Sequence, residues 1–386
     1  MTPPANDDHL PDGIYFGLDE EAYHAHPALG SGDIKRLYIS PIQWQFERLR
    51  DFRASIGLGD DEDAEDSAAK RFGKAVHTMV LEGPEVFAAR HCVEPTPPEG
   101  LLKTVEEMRD AIRESGLTPP TDMPAPSKWK RPDFVHVCRA LGIGPLSDDW
   151  ADGRERVIAG REVVSERWFA TIRLIGSMLD AERASLGGKS IRSAVLTGGH
   201  PEVSVIWTAD DGVRLKARFD YLRIKASVDV KTFACPDGRE VIDAFASAVH
   251  RFGYDMQAAH YGLAREAIPA LVEAGAVYRG PGEEPQSSDL TFIRRVAEHP
   301  KAAWTWVTIQ TVGCPEVDVC ELPSSSLVLA SAQCMVRDAR DAFRRYRDRF
   351  GDDALWVEDR GLIRMEDVVF SPSITSRGAK RWEQAA

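Results

Sequence analysis

The chain of 386 residues reads as an α/β protein. Three observations predict this. Val203–Thr208, Val213–Arg223 and Val228–Phe233 carry strand-type residues with alternating stretches, and an Asp-Asp-Gly turn at Asp210–Gly212 joins the first two. Val163–Leu186 and Leu327–Phe350 keep apolar residues three and four apart, the period of a helix with one buried face. Ala303–Gln310 and Val317–Leu322 read as two further strands of the same sheet.

The chain is long enough to bury a large core. Its 43% hydrophobic and 28% charged content is that of an ordinary globular protein. A net charge of −13 argues against DNA binding over the whole surface, but not against a local basic channel. No apolar run approaches the ~20 residues that span a bilayer. The start, MTPPANDDHL, lacks the basic and apolar regions of a signal peptide. The expectation is a cytosolic (cytoplasmic) protein with no membrane partner. Six cysteines, at 92, 138, 235, 314, 320 and 334, form no CxxC pair, which argues against a zinc site and for free, mostly buried thiols. Walker A and GxGxxG patterns are absent, so neither ATP nor a dinucleotide is indicated.

The chemistry concentrates between Glu202 and Tyr261. Successive strand side chains point to opposite faces, so Asp229 and Lys231 emerge together while Val228 and Val230 point to the core. The preceding strand delivers Asp220 after an alternating basic row, Arg214, Lys216 and Arg218, and Glu202 opens the strand before it. A helix follows with Gln257 and Tyr261 four residues apart, hence on one face. Carboxylates and a lysine gathered on a sheet suit metal-dependent phosphodiester hydrolysis. Hard oxygen ligands hold Mg²⁺ (with Mn²⁺ as a substitute), and the ammonium offsets charge or orients water. The bland alternative is a solvated ion pair on a sheet face.

Taken together, Asp220…Asp229-x-Lys231…Gln257-x-x-x-Tyr261 resembles the PD-(D/E)XK nuclease superfamily, in particular its RecB-like and lambda-exonuclease-like branches. Two earlier stretches are similar to the RecE-type exodeoxyribonuclease VIII catalytic domain. One is Tyr23-His24-Ala25-His26-Pro27 with a Ser31-Gly32-Asp33 turn and Leu37-x-x-Ser40-Pro41. The other is Phe72-Gly-x-Ala-x-His77…Leu81-Glu82, a helix whose histidine faces the metal site in that family. The resemblance runs from about Tyr23 to Trp356 and implies a restriction-endonuclease-like core, a mixed central sheet flanked by helices. It implies a Mg²⁺-dependent exonuclease that degrades one strand of linear double-stranded DNA 5′ to 3′. It also implies a RecT-type single-strand annealing partner, phage or prophage recombination, and a ring-like homo-oligomer at DNA ends. In the arrangement it suggests, Asp220 and Asp229 hold the metal with the Val230 carbonyl, and Glu202 or His77 serves a second metal position. Lys231 positions water, and Gln257 and Tyr261 orient the lysine or the phosphate.

By domain, residues 1–20 read as a disordered N-terminus, 21–370 as one catalytic domain with a proline-rich insertion near 93–149, and 371–386 as a loose tail. Asp19 or Ser31 could cap short helices whose apolar face is Ile34, Leu37, Tyr38, Trp44 and Phe46. His24 and His26 read as a surface turn before Pro27, with a metal pair as the alternative. Asp60–Asp66 is an acidic loop. Arg71–Gly83 is a helix with core residues Phe72, Val76, Met79 and Val80. Within the insertion, Lys128-Trp129-Lys130 mixes cations with an aromatic ring, either a DNA-gripping element or a surface loop around a packed tryptophan. Three rival readings stand beside the RecE-like one. They are a RecB-like nuclease of other polarity or endonucleolytic preference, a DNA-binding module without catalysis, and a small-molecule metallohydrolase built on His24 and His26.

Overall fold

The computed structural model describes residues 10–58, 68–120, 124–235 and 238–357. The acidic run 60–66 and the tail 371–386 lie outside the described residues, as do residues 1–9. The centre is one mixed sheet of seven strands. They are β1 (Gly13–Tyr15), β2 (Gly199–Thr208), β3 (Arg214–Arg223), β4 (Ala226–Phe233), β5 (Val277–Tyr278), β6 (Ala303–Gln310) and β7 (Glu316–Leu322). Their spatial order is β7-β6-β4-β3-β2-β1-β5. β2, β3 and β4 form an antiparallel meander, and β6 lies parallel to β4 in full register from Ala303–Ala226 to Gln310–Phe233. β1 corrects the expectation of disorder through residue 20. Ile14 and Tyr15 are buried, and β1 pairs with both β2 and β5, because its apolar triplet closes that edge of the sheet.

Helices cover both faces. On one side pack α2 (Ser31–Ile39), α5 (Val241–Phe252), α6 (Tyr254–Glu273) and α7 (Leu327–Phe350), burying Val203, Val205, Leu215, Ala217 and Phe219 of the sheet. On the other lie α3 (Ala68–His77) and α4 (Glu166–Asp180), over Val228, Val230, Val307 and Ile309. Each strand buried on both faces reads apolar at the positions that meet a helix, which is the physical reason for the sandwich. Local chemistry sets the helix starts. Before α2, α1 (Glu20–Ala25) is capped by Asp19, whose Oδ1 accepts from the Glu21 and Ala22 amides at 2.8 and 3.2 Å. Ser31 is not a cap: Gly30 takes that place, its N–H donating to Asp33 Oδ2 at 2.9 Å. α3 passes at His77 into a π-helical turn, Thr78–Glu82, a widening often found beside functional sites.

The proline-rich stretch is better ordered than a long loop. Helices Val105–Ser115 and Arg131–Leu141 pack around a small core of Met108, Phe134, Val135, Cys138 and Leu146, and a third helix, Ser147–Ile158, follows Leu146. Prolines punctuate those helices rather than unfolding the segment; Pro132 lies in the first turn of its helix, where no amide bond is lost. The six cysteines are free, but only Cys92 and Cys138 are buried, while Cys314 and Cys334 sit on exposed positions. No helix among the described residues is long and apolar enough to cross a membrane.

Candidate active site

The site forms where β3 and β4 part company. The two strands pair at Tyr221–Val228 and Leu222–Ser227. One step further along, the Val230 amide donates to the Asp220 carboxylate, Oδ2, at 2.8 Å, so a side chain occupies the place of a ladder bond. The Val230 carbonyl lies 3.1 Å from His77 Nε2. A carbonyl only accepts, so this contact is a hydrogen bond when Nε2 carries the hydrogen; in the neutral ring Nδ1 is then a bare acceptor. That Nδ1 stands 3.7 Å from Asp220 Oδ2. Burial first, then the neighbouring Lys231 ammonium, lowers the His77 pKa, which keeps the ring neutral near pH 7.

Asp229 is fully enclosed. Its Oδ1 accepts from Lys231 Nζ at 2.8 Å and from Gln257 Nε2 at 2.9 Å, while its Oδ2 is buried with no hydrogen-bond partner. Burial pushes the Asp229 pKa up to about 6, with Lys231 pulling it down and Asp220 pushing it up again. Asp220 is likewise raised by burial, against the pull of Lys231. Burial works to lower the Lys231 pKa, but the carboxylates of Asp229 and Asp220 outweigh it and the pKa is raised. The lysine is therefore held charged between two acids. One of its three donors is spent on Asp229.

Glu202 faces Asp220 across β2 and β3, between the pairs Pro201–Tyr221 and Val203–Phe219. Its backbone adopts φ 55°, unusual for a non-glycine residue inside a strand, and such strain is commonly stored at functional sites. Its carboxylate accepts from Arg218 Nε at 2.6 Å. Burial and then Asp220 raise its pKa against the pull of Arg218. The structure thus gathers Asp220, Asp229, Val230, Lys231, His77 and Gln257 around one point, with Glu202 beside them but held by an arginine.

Tyr261 stands at the edge of the polar cluster: burial first, then Tyr23, Asp220 and Asp229, raise its pKa, against a hydrogen bond with the Arg218 backbone. Its ring packs edge-on against Phe219 and Trp304, at 5.2 and 5.4 Å, and it is 8% exposed. One helical turn beyond Gln257, the same face of α6 has already reached the aromatic core. The basic row is also reassigned. Arg214 pairs with Asp12 at 2.9 Å and Arg218 with Glu202. Lys216 is buried and donates to the carbonyls of Tyr23, His24 and His26 at 2.8, 3.2 and 2.7 Å, closing the end of α1. Each of the three has an intramolecular partner, but only Lys216 is buried; Arg218 keeps one guanidinium nitrogen, Nη1, without a hydrogen-bond partner. Trp129 Nε1 donates to the Pro124 carbonyl at 2.7 Å, and its ring meets Phe134 edge-on in the insertion's own core, which supports the packed-loop reading; Lys128 and Lys130 are exposed. His26 Nδ1 accepts from the Ala28 amide at 3.2 Å while His24 is exposed on α1, so the two histidines form a turn and not a metal pair.

Two neighbours escaped the sequence reading. Lys231 Nζ lies over the Tyr254 ring, 5.1 Å from its centroid, and Lys35 Nζ lies over the same ring at 5.5 Å. Tyr254 stands three residues before Gln257, a spacing that would have found it. Lys35, on α2, has no local signal.

Among the described residues no three His, Cys, Asp or Glu side chains converge closely enough to hold a metal by themselves. Magnesium asks for less: it keeps several waters and takes one or two carboxylates. The donor set here fits that demand. Asp229 Oδ2 is an unsatisfied buried anionic oxygen, and Asp220 and the Val230 carbonyl add hard oxygens on the adjoining strand and backbone.

No protein-family model matches the chain. No curated protein matches it either. Among solved structures it is similar to the crystal structure of a "Putative exonuclease" from Eubacterium rectale, at 13% identity and a TM-score of 0.42, covering 92% of this chain and 98% of that one.

Proposed function

We propose that this protein is a Mg²⁺-dependent exodeoxyribonuclease acting on the ends of linear double-stranded DNA in the cytoplasm, 5′ to 3′, leaving a 3′ single strand. One observation carries the reading: a fully enclosed Asp229 whose Oδ1 is doubly bonded by Lys231 and Gln257 and whose Oδ2 is left free. An ordinary surface ion pair has no reason to be buried with half of its carboxylate unsatisfied. The resemblance of the Asp220, Asp229-x-Lys231 and Gln257 pattern to RecB-like and RecE-type nucleases supplies the polarity, the RecT-type annealing partner in recombination and the ring-like homo-oligomer.

When bound, Mg²⁺ would polarise the phosphate and acidify a water. Asp220, Asp229 and the Val230 carbonyl would hold it, and His77 Nδ1, bare and beside Asp220, would add a neutral donor. Gln257 fixes Asp229 so that its free oxygen keeps one orientation. Lys231 keeps two donors for the attacking water or a phosphate oxygen, and its charge offsets that of the transition state. Glu202 serves a second metal position only once Arg218 releases it.

The test uses linear duplex labelled separately at its 5′ and 3′ ends, with Mg²⁺ or EDTA. Release of short 5′-labelled products only with Mg²⁺ is the expected result. Loss from the 3′ end, or cutting of closed circles, would keep the site and discard the RecE-type polarity. Binding without cleavage would make the protein a DNA-binding module.

A further inference from the structure

We propose that Lys35 is a second substrate-binding cation of this site, contacting a DNA phosphate next to the one presented to Lys231; this rests on the nuclease reading above. Its placement is fixed. α2 packs against α6 and α7, and the Lys35 stem lies on Gly253, where a Cβ would come 3.4 Å from its Cδ. Gly253 has φ 61° and joins α5 to α6, so the turn that brings Tyr254 to Lys231 also receives Lys35. The two ammonium groups share the Tyr254 ring, at 5.1 and 5.5 Å from its centroid.

Their partners differ. Lys231 has Asp229, but among the described residues Lys35 has no hydrogen-bond acceptor and no ion pair. The ring alone offers a cation a modest attraction. Against that stand partial burial and then the like charge of Lys231, which outweigh the pull of Asp229 and Asp255 and lower its pKa to about 8, so the group remains charged at neutral pH. A surface lysine would escape by extending into water, whereas this one is laid along Gly253 toward the site. The carboxylates of Asp229 and Asp255 act on it only through space, without an ion pair, and a phosphodiester would give it a direct partner. Such a contact reads the backbone and not the sequence.

The experiment compares wild type with Lys35→Met, Lys35→Gln and Lys35→Arg, each checked by circular dichroism and thermal melting. In Mg²⁺-dependent hydrolysis of linear duplex, the neutral variants should raise KM about tenfold, the loss of one phosphate contact. Their kcat should stay near wild type, and Lys35→Arg should recover most of the loss. In EDTA, the slope of log binding constant against log salt should fall by about 1 in the neutral variants. A variant-free arm uses reductive methylation of wild type, where bound duplex should protect Lys35. Wild type that cuts DNA while the neutral variants keep its KM and salt slope, and Lys35 stays unprotected, overturns the proposal and leaves the nuclease reading intact. Wild type that neither binds nor cuts DNA overturns both.

Discussion

Asp229 carries a charge in a place that resists one, and that is its use. Its pKa of about 6 in the folded protein stands above the ordinary 3.8. Between those values the folded state therefore holds a proton that the unfolded chain has lost. The group's contribution to stability is greatest below about pH 4 and declines as pH rises to about 6. Asp229→Asn should remove that decline, so that the metal-free variant loses less stability than wild type between pH 4 and pH 7. The same change should abolish Mg²⁺ binding. Denaturant unfolding of both proteins at pH 4 and pH 7 checks this, and an Asn variant with the same pH dependence as wild type would contradict it. At this scale the sequence reading was good where chemistry is local. Asp229-x-Lys231 is a spacing of two in a strand, Gln257 opens a helix face, and His77 entered through a pattern on its own helix. Tyr261 has its ring in the aromatic core and its hydroxyl within electrostatic reach of Asp220 and Asp229, a division that a helix face alone does not report. Lys35 was invisible, since only the packing of α2 brings it to Tyr254.

At the scale of elements, β3 shows how a strand can mislead. Arg214, Lys216 and Arg218 alternate as a DNA-facing row would, yet Arg214 pairs with Asp12, Arg218 with Glu202, and Lys216 is buried. Lys216 is the sharpest case, a buried ammonium tied to three main-chain carbonyls at the end of α1. Lys216→Met should leave those carbonyls without their donor and cost about 2–4 kcal/mol. A urea melt reads that loss as a lower midpoint at unchanged slope. A midpoint equal to wild type would mean that the lysine is dispensable to the fold. The strands and helices themselves were legible because periodicity reports burial on one face: α7 matches its expected bounds, and β6 does too. β1 was not legible, being three residues long and dependent on β2 and β5 for every partner.

Across the whole molecule, a net charge of −13 coexists with a partly buried lysine, Lys231, held where β3 and β4 separate. The parallel β6 and the two helix layers enclose β4 on every side except that opening. The result is a scaffold that desolvates Asp229 and Lys231 together, which strengthens their interaction with each other and with any anion admitted to them. The mixed α/β architecture could be read from the alternation of periods along the chain. Two helices of the insertion could be read as well, as helical runs at Leu102–Glu114 and Phe134–Leu141, but not their packing, because the small core draws on residues spread from Met108 to Leu146.

The central claim is that Asp229 and Lys231 divide the work, one holding metal and the other acting on DNA. It is tested most directly by following Mg²⁺-dependent loss of linear duplex under single-turnover conditions, with Mn²⁺ affinity measured by calorimetry on the same samples. Lys231→Met should lose about 10³-fold or more in rate while still binding metal. Asp229→Asn should lose both. Unchanged cleavage by Lys231→Met would contradict the account.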